Sequence, residues 1–251
     1  ADSAGADIIN SSLGYTTFDD VLDNHTYADM DGNTTIITKA ADLAFSKGML
    51  VVNSAGNSGA SPWLYIGAPA DGNNVLSIGS VEHDGSYTSF SSRGPTADGR
   101  IKPDNGAKGT SVYSPVAPYI YDTYTRTSMA CPGIAGNMAQ LYQAYKELNS
   151  QNPPSALMKC MLLNSADDIG NSGPDFKHGW GEVNVFKAVK ILETNNYLSD
   201  SVSQGDNRMH PISIPPGIKQ VKIMTYWHDK EASTNASIDR KSTRLNSSHT
   251  S

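Results

Sequence analysis

Thr127-Ser128-Met129-Ala130-Cys131-Pro132-Gly133-Ile134-Ala135-Gly136 is the stretch on which the reading of this chain turns. A serine stands in what reads as the first turn of a long helix over residues 128–148, among small neighbours that let another backbone approach its hydroxyl. The first turn of a helix has unpaired N–H groups and a partial positive charge, and both favour an oxyanion formed beside it. Pro132 carries no N–H, so the Ser128 carbonyl loses its i+4 donor and the helix is expected to bend there. A capping role would explain a lone serine, but it does not explain the ten residues together.

Working outward, residues 49–53 form a continuous apolar strand that runs into Ser54-Ala55-Gly56-Asn57-Ser58-Gly59. Upstream, residues 7–12 read as a short buried strand closing on Asn10-Ser11-Ser12-Leu13-Gly14. Between the two, residues 35–47 carry Ile36, Ala40, Leu43 and Ala44 on one helical face, with Gly48 as C-cap. Strand, helix, strand in that order predicts a βαβ unit of a parallel sheet. Residues 75–81 and 119–123 read as further strands, residues 82–109 as turn-rich, and 154–164 and 184–192 as helices. From residue 199 the pattern changes. Residues 209–214 and 218–227 read as strands about a Pro-Pro-Gly turn, which predicts the start of a separate β domain over 199–238. Residues 239–251, DRKSTRLNSSHTS, have one apolar residue and no period. They read as a disordered tail and resemble the translated read-through of a sequencing adapter, so no packed contacts are expected of them.

The decapeptide resembles the nucleophile motif of the subtilase family, Gly-Thr-Ser-Met-Ala-x-Pro followed by an aromatic or His and then Val-Ala-Gly. Residues 51–59 are similar to that family's Ala-Ala-Gly-Asn segment, and Asn57 alone would pass for a turn residue. Phe90-Ser91-Ser92-Arg93-Gly94-Pro95, with residues 98–104, and Gly179-Trp180-Gly181 resemble further family segments in the expected order, so that the likeness covers residues 6–192. It implies a three-layer α/β subtilisin-like fold with a mostly parallel sheet whose N-terminal part is missing, over residues 1–198, followed by the start of a β-sandwich. It implies peptide-bond hydrolysis through an acyl-enzyme on Ser128, with Asn57 in the oxyanion hole. Ser12, Leu13 and Gly14 would pair with the extended substrate, and Ser54, Ala55 and Gly56 would form the opposite wall of the specificity pocket. It also implies a cis Ala68–Pro69 bond.

Three departures from the family pattern stand out. A catalytic Asp and a His in His-Gly-Thr-His context are expected upstream of the Ser-Leu-Gly strand and are absent from these residues. His25, His83, His178, His210 and His228 match no such context and read as surface or satisfied histidines. The chain is therefore expected to be inactive and unstable alone, with an active endopeptidase as its parent; a non-catalytic, peptide-binding homologue is the rival. Second, Arg126 replaces the Gly before Thr127, where it would narrow the cleft or pair with an acidic group. Third, residues 15–34 form a long polar loop with Asp19, Asp20, Asp23, Asp29 and Asp31. Their spacing is not that of an EF-hand, and a solvated loop is the reading preferred to a calcium site.

Composition excludes several other classes. The formal net charge of −6 and pI near 5.4 argue against a nucleic-acid surface. No apolar run approaches the ~20 residues needed to cross a bilayer. The start, ADSAGADIIN, has no signal-peptide pattern and no initiating Met, so more sequence is expected upstream. Cys131 and Cys160 read as two buried thiols, a single disulfide being the lesser alternative. An α/β-hydrolase esterase is a weaker rival, because that fold wants Gly-x-Ser-x-Gly and Arg126-Thr127-Ser128-Met129-Ala130 does not fit it. No organic cofactor is implied. Structural calcium, a polypeptide substrate, and secretion or a cell-envelope location follow from the resemblance alone.

Overall fold

A computed structural model describes residues 1–203, 205–228 and 248–250. Four parallel strands make one sheet in the order β1-β2-β3-β4: β1 Ile8–Ser11, β2 Leu50–Ser54, β3 Leu76–Val81 and β4 Asn105–Lys108. The register pairs Ile8 with Leu50, Val52 with Leu76 and Ile78 with Asn105. β2 and β3 are buried along their whole length, as strands covered on both faces are. β1 is an edge strand and only partly buried.

Helix α1, Ile36–Ser46, joins β1 to β2 and is capped by Thr35, whose hydroxyl accepts from the Thr38 N–H. Its buried face differs from the expected one. Ile36 is 86% and Leu43 60% exposed, Ala40 is exposed and Ala44 half-buried, whereas Thr38, Asp42 and Phe45 are buried. Polar contacts fix this face: Thr38 Oγ1 donates to Asp71 Oδ1 at 2.6 Å, and Asp42 accepts from the Asn73 and Asn74 N–H groups. Those bonds outweigh the apolar stripe that hydropathy alone selects.

Helix α2, Thr127–Asn149, crosses all four strands. Ala130, Ile134, Met138, Leu141 and Tyr145 give it a buried stripe at helical spacing. Helices α3, Ser155–Ser165, and α4, Val185–Glu193, close over α2 through Met158, Leu162, Ala188 and Leu192. Between α2 and β4 lies an antiparallel hairpin of β5 Val112–Val116 and β6 Ile120–Tyr124, of which only the second strand is expected from sequence. β4 falls inside the stretch read as turn-rich. Asn105-Gly106-Ala107-Lys108 has no strand-forming side chains, but β3 on one side and the Gly-Trp-Gly turn on the other satisfy its backbone. Gly106 N donates to Gly181 O at 3.0 Å and Val183 N to Gly106 O at 3.3 Å.

A buried charged group joins the sheet to α3. Asp104 accepts from Lys102 Nζ at 2.5 Å and from Ser77 N at 2.7 Å, and Lys159 Nζ lies 3.3 Å from its other oxygen. Both ammoniums also donate to Val75 O. Burial acts most strongly on Lys102 and pulls its pKa down to about 8, against the opposing charge of Asp104. Burial pushes the Asp104 carboxyl up, but the two lysines more than reverse this and hold it below its ordinary value.

The Ala68–Pro69 bond is cis, as expected. Residues 209–214 form no strand and are exposed, and within 218–227 only Lys222–Met224, β7, is extended in a ladder. Among the described residues no second sheet packs against those two segments. Instead Met224 and Tyr226 pack on the α/β core, with Tyr226 Oη 3.0 Å from Asn74 Oδ1. β7 pairs with Ser248–Thr250, β8, so the last stretch does make a contact that its sequence does not predict. Backbone pairing at an open strand edge needs no side-chain pattern. Leu245 and residues 229–247 lie outside the described residues. Cys131 is buried, Cys160 half-buried, and both are free thiols.

Replacing Asp104 by Asn leaves two buried ammoniums without their counter-charge. Asp104→Asn is expected to lose about 3–5 kcal/mol of stability in urea unfolding, the range for breaking a buried ion pair. A loss under 1 kcal/mol would show that the cluster is not held by charge.

Candidate active site

The C-terminal ends of β1 and β2 and the first turn of α2 meet at one place. β1 runs into Ser12-Leu13-Gly14, and the Ser12 hydroxyl donates to the Ser128 carbonyl at 3.1 Å. That carbonyl is the one Pro132 cannot serve, so the vacancy read from the sequence is filled by the neighbouring strand. β2 runs into Ser54-Ala55-Gly56. Asn53 ties the two segments together, its amide donating to Leu13 O at 3.1 Å and Ser54 O at 2.8 Å.

Gly56 adopts a φ of +109°, and a Cβ there would lie 2.8 Å from Ser92 Oγ. Gly59 leaves still less room, since a Cβ would fall 2.1 Å from Ser91 O. The turn between them is clamped by Phe90-Ser91-Ser92. Ser92 N donates to Gly56 O, Ser58 N to Ser92 Oγ and Gly59 N to Phe90 O, all at 2.9 Å. Asn57 projects from this clamp. Its Oδ1 accepts both the Thr127 N–H at 2.9 Å and the Thr127 hydroxyl at 3.0 Å. A backbone N–H can only donate, so the atom it meets is the amide oxygen, and the Asn57 NH₂ is left without a partner among the described residues. Ser128 follows Thr127 directly and is half exposed, and its hydroxyl makes no hydrogen bond among the described residues. Asn57, Leu13 and Gly14 are exposed, while Ser54 and Ala55 are buried.

Cys131, one turn into the helix, faces Asn10 Oδ1 at 3.2 Å and Ser11 O at 3.5 Å. Burial pushes its thiol up to about 12, so it is an inert packing group. The described histidine side chains are engaged elsewhere or exposed. His178 sits buried beside Asp175 at 3.2 Å and against Tyr87, a structural pair within the Gly-Trp-Gly region. His25 packs edge-on to Phe18, His210 lies 3.5 Å from Asp200, His228 packs against Phe45, and His83 is exposed.

Three of the aspartates of residues 15–34 bond to backbone N–H groups nearby in the chain. Asp20, Asp29 and Asp31 accept from the N–H groups of Leu22, Thr26 and Asn33, and among the described residues no three metal-ligating side chains gather. Nor is the loop wholly solvated: Met30 is buried, and Tyr27 stacks on Tyr65 at 4.1 Å.

Residues 1–181 match the subtilase family. The chain belongs to that family. It is 32% identical over 187 residues to subtilisin DY of Bacillus licheniformis, covering 74% of this chain and 58% of that protein. Thermitase of Thermoactinomyces vulgaris is 31% identical over 186 residues, with 74% and 55% covered. Subtilisin E of Bacillus subtilis is 31% identical over 189 residues, with 75% and 42% covered. The chain spans about half the length of the curated relatives it matches. Family membership brings the three-layer α/β fold, to which the four parallel strands and their helices belong.

Ser128, Asn57 and the two wall segments are legible in the sequence, whereas most of what holds them is not. Pro132 is the one signal for these contacts in the sequence: it removes the helical donor of the Ser128 carbonyl, and Ser12 takes that donor's place. Thr127 as the anchor of Asn57, Asn53 as the tie between walls, and Ser92 as the clamp left no local signal. Ser12→Ala should cost about 1 kcal/mol in urea unfolding, the net worth of one such bond. Pro132→Ala restores an N–H to the helix, so Ser12→Ala should cost measurably less in that background. Strict additivity in this double-mutant cycle would mean that Ser12 does not replace the missing helical donor.

Proposed function

We propose that this subtilase chain carries the nucleophile and oxyanion half of a serine endopeptidase site. The observation that carries the reading is the Thr127–Asn57 pair, which engages the amide oxygen next to Ser128 and leaves the Asn57 NH₂ without a partner among the described residues. In this reading Ser128 Oγ attacks a peptide carbonyl, and the C–N bond breaks after collapse of the tetrahedral adduct. The acyl-enzyme so formed is then hydrolysed. The developing oxyanion is held by the Asn57 NH₂ and the Ser128 N–H at the helix start. Ser12, Leu13 and Gly14 on one side, and Ser54, Ala55 and Gly56 on the other, hold the acyl half of an extended polypeptide.

A serine hydroxyl needs a base, and no described histidine bonds to Ser128. The base and the aspartate that orients it are assigned to sequence outside these residues, which makes the isolated chain a poor catalyst. The chemistry calls for no organic cofactor. Export to the cell exterior or envelope belongs to the same reading, supported by likeness to subtilisins. Among the described residues no helix is long and apolar enough to cross a membrane.

The complete protein, freed of any pro-segment, should cleave a denatured protein substrate, and Ser128→Ala should abolish cleavage. Asn57→Ala should lower kcat by about 10²–10³, a magnitude taken from subtilisin's own oxyanion asparagine rather than derived from this chain. The isolated chain should show no Ser128-dependent cleavage. Inactivity of the complete protein would favour a non-catalytic, peptide-binding subtilase, and activity of the isolated chain would mean that one of its own histidines serves as base.

A further inference from the structure

Arg126 stands directly before Thr127 and Ser128, in place of the family's Gly. It is exposed, its guanidinium carbon lies 5.8 Å from the centroid of the Phe90 ring, and its Nη1 donates to Thr125 O at 3.0 Å. In a chain of net charge −6 it makes no ion pair among the described residues. An arginine laid on an aromatic face keeps its plane fixed while its remaining N–H groups stay free for a carboxylate.

Topology says which half of a substrate would meet it. The two wall segments continue β1 and β2. Arg126 is tied to the other side of the sheet: its N–H donates to Gly109 O at 2.9 Å, and Gly109 N donates to Val81 O at the end of β3 at 3.2 Å. The Phe90 loop returns to β3 through Ser91 Oγ, which accepts from Ser80 N at 3.0 Å. With strand order β1-β2-β3-β4, Arg126 is therefore anchored on the β3–β4 side of Ser128, away from the walls that continue β1 and β2, and Phe90 beside it bonds to Gly59, just past Asn57. A peptide whose acyl half lies between the walls sends its leaving half over this pair.

We propose that Arg126, oriented by Phe90, is a specificity-determining residue that favours an Asp or Glu in the first two positions after the scissile bond. This rests on the endopeptidase reading above. The charge is the operative feature, so the preference weakens as salt screens it.

The test uses the complete protein and internally quenched peptides that differ only at those two positions, as Glu, Gln or Lys. The wild type should prefer Glu over Gln in kcat/KM by about three- to tenfold at low salt, the scale of an exposed to partly shielded charge-assisted bond. The ratio should fall to about one in Arg126→Gly and in Arg126→Gln, and most of it should return in Arg126→Lys. A ratio of one in the wild type, a preference that survives in Arg126→Gln, or an equal loss on all peptides in every variant would overturn the proposal. Failure of the underlying reading looks different: no peptide is cleaved, or cleavage survives Ser128→Ala. Binding then decides, by fluorescence anisotropy of labelled Glu and Gln peptides on the Ser128→Ala protein with and without Arg126. Tighter binding of the Glu peptide only where Arg126 is present supports the proposal, and equal binding overturns it.

Discussion

The Ser128 carbonyl cannot be served from within its own helix, because Pro132 occupies the position whose N–H would reach it. An unpaired carbonyl in a half-buried place costs free energy, so the helix start is stable only where something else donates. Ser12 does so, from the end of β1. The residue before the serine is fixed in the same manner, with Thr127 spending its N–H and its hydroxyl on Asn57, just past the end of β2. Helix α2 is thus docked by its first two residues onto loops from two neighbouring strands. That is possible only because those strands are parallel and end at the same edge of the sheet. Open α/β sheets place their sites at this edge, and here the reason is visible bond by bond.

Rigidity behind the site comes from two different sources. One is steric: Gly56 has a φ that other residues adopt with strain, and Gly59 has no room for a Cβ, so the turn carrying Asn57 has few alternatives. The other is electrostatic. Asp104 and its two lysines link the start of β3, the loop before β4 and α3 in a buried cluster, where each charge is intolerable without the others. The cluster touches no substrate-facing residue named above. It keeps the strands from sliding relative to the helices, and the loops at their ends inherit that fixity.

Much of this was legible in the sequence, and the reason differs from element to element. The decapeptide around Ser128 is readable because each of its residues is restricted by a separate demand: a nucleophile, small neighbours and a proline. β2 is readable because Leu50-Val51-Val52 is a continuous apolar run, as a strand buried on both faces allows, whereas β3 sets Leu76, Ile78 and Val81 among Ser77, Gly79 and Ser80 and is buried all the same. β4 was hidden because Asn105-Gly106-Ala107-Lys108 owes its extension to partners distant in sequence. The face of α1 was misread because Thr38 and Asp42 are buried by bonds to Asp71, Asn73 and Asn74, and hydropathy counts such residues as outward. Residues 209–214 read as a strand from composition alone, but a strand needs a neighbour, and no described residue pairs with them. Local pattern therefore sufficed where the chain's own residues set the constraint and failed where the constraint was imposed from elsewhere in the fold.

In the proposed reading, the nucleophile Ser128 and the oxyanion donor Asn57 are also one mechanical unit. Asn57 takes its orientation from Thr127, and Thr127 is bonded covalently to Ser128. A shift of the α2 terminus would act on Asn57 through the two Thr127 bonds, which couple the helix start to the turn after β2. Such preorganisation is what makes a hydrogen-bond donor effective at a developing charge, because no reorientation is required as the charge forms. Proton transfer is a separate demand, and no described histidine meets it by a bond to Ser128. The ends of β1, β2 and α2 hold their mutual geometry through bonds among those elements themselves.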